Sequence, residues 1–209
     1  FVVGASLAEL LERFTALTGR HRLPPLWALG NHQCRYSYMS ADEASRVADT
    51  FRAKAIPCDA IWYDIDYMEG YRVFTFDPGR FPDPAGHIRS QKAKGFRSVV
   101  IVDPGVKVDP PGAYPVLDEG TARGCFVRTI EGEDFEGPVW PGGTKFPDFS
   151  RPEVRDWWGG LHRVYTEAGI DGFWNDMNEP AVLDEAKTIP EAARMCDDVP
   201  NQLAPRTQR

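Results

Sequence analysis

The sequence predicts an α/β fold built on a parallel sheet, and three observations predict it. Four apolar runs, Leu26–Gly30, Ala60–Asp64, Arg97–Val102 and Ile170–Asp176, are too short for helices and each follows a helical stretch. Strand alternating with helix is the pattern of a parallel sheet, whose strands are covered on both faces and need not alternate polar with apolar. The residues after each run are polar and aromatic, which places a candidate site at the carboxyl ends of the strands. A doubly wound sheet would normally carry a Gly-rich phosphate turn after its first strand, and none is present.

The elements follow in order. Ser6, Ser40 and Ser150 are each followed three residues later by Glu, a pattern in which the two side chains satisfy orphan N–H groups of a first helical turn. After Ser6, the residues Leu7, Leu10, Leu11, Phe14 and Leu17 recur at helical spacing, and Gly19 is the stop. The strand Leu26–Gly30 then runs into Asn31-His32-Gln33-Cys34-Arg35-Tyr36. Ala44, Val47, Ala48, Phe51 and Ala55 form the stripe of the second helix, which ends at Pro57 and leads to Ala60–Asp64. A weaker helix covers residues 84–94 and leads to Arg97–Val102. Val154, Trp157, Trp158, Leu161, Val164 and Tyr165 give the last helix, closed by Gly169 before Ile170–Asp176.

Residues 105–149 are rich in Gly and Pro and weak in helical periodicity. A connection of that length is expected to be functional or a small subdomain. Within it, Val139-Trp140-Pro141-Gly142-Gly143 sets an aromatic on a rigid turn. From residue 184 onward the apolar content is low, so 184–209 reads as a loop or poorly ordered tail.

Composition removes several classes of function. The 209 residues carry 24 Lys+Arg against 31 Asp+Glu, a net charge of −7, whereas nucleic-acid binding needs clustered cations. With 42% hydrophobic and 26% charged residues the chain is of globular type, neither disordered nor collagen-like. No apolar run nears the roughly 20 residues that span a bilayer, and Phe1-Val2-Val3-Gly4 lacks the features of a signal peptide. No membrane or nucleic-acid partner is expected; the chain reads as soluble, with the cytoplasm favoured. Phe1 is not an initiator methionine, so an upstream targeting segment stays open. Cys34, Cys58, Cys125 and Cys196 are widely spaced without a C-x-x-C pair, which disfavours zinc or a disulfide scaffold and leaves them as reduced structural thiols.

The chemistry-bearing residues are carboxylates and aromatics. Asp64, Asp66, Asp103 and Asp176 stand at or just past the ends of three strands with Trp and Tyr between them, and no Ser/His/Asp triad is in view. Carboxyl groups serve as nucleophile and acid/base in glycoside chemistry, and aromatic faces stack on sugar rings. A single strand-end Asp is more often a cap or a salt bridge; their recurrence in equivalent positions weakens that reading. His21, His32, His87 and His162 have no partner in view beyond a satisfied loop position for His32, and none is assigned to catalysis.

The segment Gly172-Phe173-Trp174-Asn175-Asp176-Met177-Asn178-Glu179-Pro180 resembles the nucleophile signature of glycoside hydrolase family 31, the α-glucosidase family. Leu26-Trp27-Ala28-Leu29-Gly30, His32-Gln33-Cys34-Arg35, Asp64-Ile65-Asp66-Tyr67-Met68, Ile101-Val102-Asp103-Pro104 and Trp140-Pro141-Gly142 follow the family's order and approximate spacing, so the resemblance covers residues 6–183. It implies a partial (β/α)8 barrel: an N-terminal helix and linker over 1–25, the first four strand-helix units over 26–183 with residues 105–149 inserted after the third strand, and the tail 184–209.

It also implies residue functions. Asp176 matches the nucleophile of a retaining mechanism, and Asp64 matches the acid that hydrogen-bonds sugar hydroxyls in the −1 subsite. Ile65, Ile101, Trp140, Trp174 and Met177 match residues lining that subsite. Tyr36 stands where many relatives have Trp and keeps an aromatic contact. Asp66, on the face of Asp64 if the strand continues, and Asp103 are read as supporting, as is Glu179, which is expected to pair with a neighbouring base or backbone group. The implied activity is hydrolysis of terminal α-linked glucose from an oligosaccharide or glucoside, with no metal or organic cofactor. The family's acid/base aspartate lies near a later strand and has no counterpart here; Asp197 and Asp198 are not promoted to it. Little or no activity is therefore expected of the isolated chain. The competing reading is a truncated or degenerate, non-catalytic fragment that at most binds sugar weakly.

Overall fold

The computed structural model describes residues 1–185, 188–190, 193–195 and 199–200. Cys196, Asp197 and Asp198 lie outside the described residues. Helix α1 (Leu7–Thr18) forms where the first cap predicts it: Ser6 accepts the Glu9 N–H at 3.2 Å, and Glu9 reaches back to the Ala5 N–H at 2.7 Å. The stripe of Leu7, Leu11, Phe14 and Leu17 is exposed.

The first strand is displaced from its expected place. Leu26–Leu29 is a 3₁₀ helix, and the strand, β1, is His32–Gln33. Pro25 fixes the start of the turn, Ala28 N–H bonds to the Pro25 carbonyl and Gly30 N–H to that of Trp27. Leu26 and Leu29 face solvent, so the run lacks the two-sided burial that its apolar character suggested. Pairing starts only where Asp59 donates to the Asn31 carbonyl at 2.8 Å.

Helix α2 (Ala41–Ala53) repeats the first cap, with Ser40 accepting from Glu43 N–H and Glu43 accepting from Met39 N–H. It buries Ala44 and Ala48 and leads to β2 (Ala60–Tyr63). Helix α3 (Pro84–Ala93), capped by Asp83, leads to β3 (Arg97–Val102). Next come β4 (Val106–Lys107), α4 (Pro115–Ala122), β5 (Glu136–Val139) and β6 (Gly142–Lys145). The insertion is thus a small subdomain with its own antiparallel sheet, ordered β4-β6-β5.

The third expected cap is not used. Ser150 donates its hydroxyl to Asp148, and the next helix, α5 (Pro152–Leu161), starts from Arg151. Pro152 explains the shift: its fixed φ suits the first helical position and moves the cap to the residue before it. The stripe from Val154 to Tyr165 is also divided, because the chain turns at His162 and resumes as α6 (Arg163–Ala168) before β7 (Gly172–Asn175). The last described elements are β8 (Arg194–Met195) and β9 (Val199–Pro200), which pair antiparallel.

The main sheet is parallel and ordered β1-β2-β3-β7. Its outer face carries the helices: Tyr63 meets Phe81 and His87 edge-on, and Phe173 meets His162 and Tyr165. A second apolar cluster joins Val127, Val139 and Phe146 of the insertion to Val182, Ile189 and Ala193. Arg128 and Arg194 exchange backbone hydrogen bonds beside it. Part of the segment expected to be a loose tail is therefore folded: Ile189 and Ala193 bury almost completely against the insertion, a partner that local composition does not reveal. Among the described residues no helix is long and apolar enough to cross a membrane.

Candidate active site

The inner face of the main sheet is built by a repeated spacing. Side chains alternate across a strand, so Tyr63 and Phe173 on the outer face place Trp62 and Trp174 on the inner one. Their indoles meet there with ring centroids 5.8 Å apart. Ile101 pairs in register with Trp174 and shares that face. Two residues beyond each stand Asp64, Asp103 and Asp176, and each is the first residue after its strand. The pattern Trp-x-Asp, Ile-x-Asp, Trp-x-Asp thus aims three carboxyl groups from three adjacent strands into one space.

Two of the three are held by the same local device. Asp64 accepts the N–H of Ile65 at 2.8 Å and caps the 3₁₀ turn Ile65–Tyr67. Asp176 accepts the N–H of Met177 at 2.9 Å. Met177 has φ +54°, the left-handed region that a side chain of its kind rarely enters. Asp103 is 6% exposed, and its Oδ1 has no hydrogen-bond partner among the described residues.

Burial and mutual repulsion set the electrostatics. Burial, then Asp66 and Asp176, push the Asp64 carboxyl up, opposed by the bond from Ile65. Asp103 is pushed up to about 7 by burial and then by Asp176 and Asp64. No cation contributes to either shift, so the cluster suits a neutral polyhydroxylated ligand better than an anion. Among the described residues no three His, Cys, Asp or Glu side chains gather to hold a metal ion.

The other expected residues divide into two sets. Ile65 and Ile101 are buried, and the Ile101 carbonyl accepts the Tyr67 hydroxyl at 2.7 Å. Met177 packs against the second apolar cluster. Trp140 stands half-exposed at the turn between β5 and β6, and Tyr36 is exposed. Asp66 differs from expectation: the strand stops at Tyr63, so the 3₁₀ turn and not strand alternation sets its direction. It is buried and bound through Oδ1 to the Tyr71 hydroxyl and the Arg80 guanidinium, each at 3.3 Å. Glu179 is exposed, and the pairing expected for it is absent among the described residues.

Three histidines have partners that the sequence did not show. The Trp62 indole N–H, which can only donate, lies 3.2 Å from His32 Nδ1, so Nδ1 is the acceptor. Nε2 then carries the proton and donates to the Trp27 carbonyl at 2.9 Å. His32 also stacks on Trp27 at 5.8 Å, completing an aromatic row from Trp27 to Trp174. His87 meets the Tyr63 hydroxyl at 2.8 Å, and His162 Nδ1 lies 2.9 Å from the Trp158 carbonyl. The parallel spacing of Trp62-x-Asp64 and Trp174-x-Asp176 was the signal for Trp62; nothing in the sequence marked His32 as its acceptor.

Comparison with known proteins gives a consistent result. Residues 21–205 match the glycosyl hydrolases family 31 TIM-barrel domain. The chain is 53% identical over 186 residues to "Alpha-glucosidase 2" of Bacillus thermoamyloliquefaciens, which covers 89% of this chain and 23% of that protein. It is 40% identical over 185 residues to human "Neutral alpha-glucosidase AB", covering 87% and 19%. Among solved structures, a DNJ-bound glucosidase II alpha subunit superposes with a TM-score of 0.86 at 33% identity, covering 95% of this chain and 22% of that one. A family 31 alpha-glucosidase from Bacteroides thetaiotaomicron gives 0.75 at 48% identity, covering 85% and 30%. The chain therefore spans about a fifth to a quarter of the length of the curated relatives named here.

Proposed function

The chain belongs to glycosyl hydrolase family 31, and from that membership and the geometry of its strand ends we propose that it forms the nucleophile wall of a retaining α-glucosidase. The observation that carries the proposal is the placement of Asp176 on the inner face beside Asp103 and Asp64, at the end of a strand whose sequence resembles the family's nucleophile signature. The Asp176 carboxylate attacks the anomeric carbon and forms a covalent glycosyl-enzyme, which water then hydrolyses with net retention. Its Oδ1 is held by the Met177 N–H, which fixes the direction of the carboxylate before substrate arrives.

Asp64 accepts hydrogen bonds from hydroxyls of the glucosyl unit in the −1 subsite. Trp174 and Met177 line that subsite, with Ile65 and Ile101 beneath it, while Trp140 and Tyr36 offer ring faces at its rim. Asp66, tied to Arg80 and Tyr71, supports the loop that bears Asp64. The substrate class is an oligosaccharide or glucoside with a terminal α-linked glucose. A retaining glycosidase needs a second carboxyl group to protonate the leaving oxygen. Asp64, Asp103 and Asp176 stand side by side on one wall, so the proton donor must face them from the opposite wall.

The reaction class is tested by following hydrolysis of an aryl α-glucoside by the protein that carries this chain, with the product observed by proton NMR before it mutarotates. The α-anomer is expected first. Initial release of the β-anomer would exclude retention.

A further inference from the structure

Asp103 is the carboxyl group that the proposed reaction does not yet use, and its setting is unusual for an ionised acid. Ile101 pairs with Trp174 and Val102 with Asn175, so the register brings Asp103 level with Asp176 on the neighbouring strand. Adjacent strands lie about 4.8 Å apart, and both side chains continue the inner face. Asp103 is almost fully buried, and Oδ1 is without a partner among the described residues. The titratable groups that act on it or feel it are Asp64 after β2, Tyr67 in the following turn, Tyr165 on α6 and Asp176 after β7. None of these is a cation, and the two hydroxyls are committed to each other and to backbone groups. A buried carboxylate with no cation and two like charges beside it is costly; a neutral carboxylic acid that finds a hydrogen-bond partner costs far less.

We propose that Asp103 works in its protonated form as a positioning residue, donating its proton in a hydrogen bond to the Asp176 carboxylate and so holding the nucleophile in place. The inference rests on the reading of Asp176 as nucleophile. Loss of the proton leaves the buried Asp103 carboxylate beside the half-buried Asp176 carboxylate; the two repel, and the attacking group loses its orientation. Because burial and its neighbours push Asp103 up to about 7, this loss falls in the neutral range.

The test is the rate at which 5-fluoro-α-glucosyl fluoride labels Asp176 as a function of pH, in the protein that carries this chain. Fluoride leaves without general-acid help, so the profile is not set by the proton donor of the ordinary reaction. The wild-type rate is expected to fall about tenfold per pH unit above pH 7, the behaviour of one required proton. Asp103→Asn keeps a donor that cannot be deprotonated and is expected to flatten that limb, whereas Asp103→Ala labels slowly at every pH. A wild-type rate that does not fall, an Asp103→Asn variant with the wild-type limb, or one that labels no faster than Asp103→Ala would overturn the proposal. An infrared spectrum gives a readout independent of turnover: a protonated-carboxyl C=O band at pH 6 that Asp103→Asn removes is expected, and a spectrum the substitution leaves unaltered is contradictory. Failure of the nucleophile reading is distinguishable, because the label then sits on another residue of the wild type.

Discussion

The Tyr67 and Tyr165 hydroxyls lie 2.8 Å apart in the core, and counting protons gives the bond a direction. Tyr67 has one proton and spends it on the Ile101 carbonyl at 2.7 Å, so Tyr165 is the donor to Tyr67. Tyr165 in turn accepts the N–H of Phe74 at 2.7 Å. The relay ties α6 and the loop after β2 to β3, the strand that precedes Asp103. Phe74 needs this anchor, since its φ of +63° is in the left-handed region.

Tyr165→Phe breaks that relay and strands the buried Phe74 N–H. The expected cost is about 1–3 kcal/mol of stability, read from urea unfolding. An unchanged midpoint and slope would show that the hydroxyl chain contributes nothing to the fold.

His87 gives the chain an acid-sensitive point. Burial first, then Lys94, lower its folded pKa to about 4, while the unfolded imidazole keeps about 6.5. The unfolded state therefore takes up the proton first. His87 contributes stability that is present above pH 6.5 and lost as pH falls toward 4, by about 3 kcal/mol at most. His87→Gln is expected to flatten the slope of unfolding free energy against pH in that window. A slope identical to the wild type would place the acid sensitivity elsewhere.

Gly120 is required by packing on α4. A Cβ there would stand 2.5 Å from the Phe126 ring and 2.9 Å from Trp157. Gly120→Ala is expected to cost about 1–3 kcal/mol by overpacking, which thermal unfolding would detect as a lowered Tm. A Tm at or above the wild-type value would show that α4 shifts away freely.

How much of this was legible in the sequence depended on whether the cause was local. The caps at Ser6 and Ser40 and the strands β2, β3 and β7 are local patterns and lie where they were expected. Leu26–Leu29 misled because an apolar run of four does not distinguish a strand from a 3₁₀ turn, and the preceding prolines decided for the turn. Ser150 misled because Pro152 outranked it. The three inner-face aspartates were visible as strand ends, since period-two alternation carries side-chain direction. The His32–Trp62 bond, the Tyr67–Tyr165 relay and the burial of Ile189 were not visible, because each joins residues that only the closed sheet brings together. Asp66 fell between the two cases: its proximity to Asp64 was visible, but its ion pair with Arg80 arises from the turn that ends the strand.

The central claim is that Asp176 is the attacking group, and covalent trapping tests it most directly. The protein that carries this chain is incubated with 5-fluoro-α-glucosyl fluoride, digested and read by tandem mass spectrometry. The account predicts one glycosyl adduct, on Asp176, absent from Asp176→Asn. An adduct on Asp64 or Asp103, or one that persists in Asp176→Asn, would contradict it.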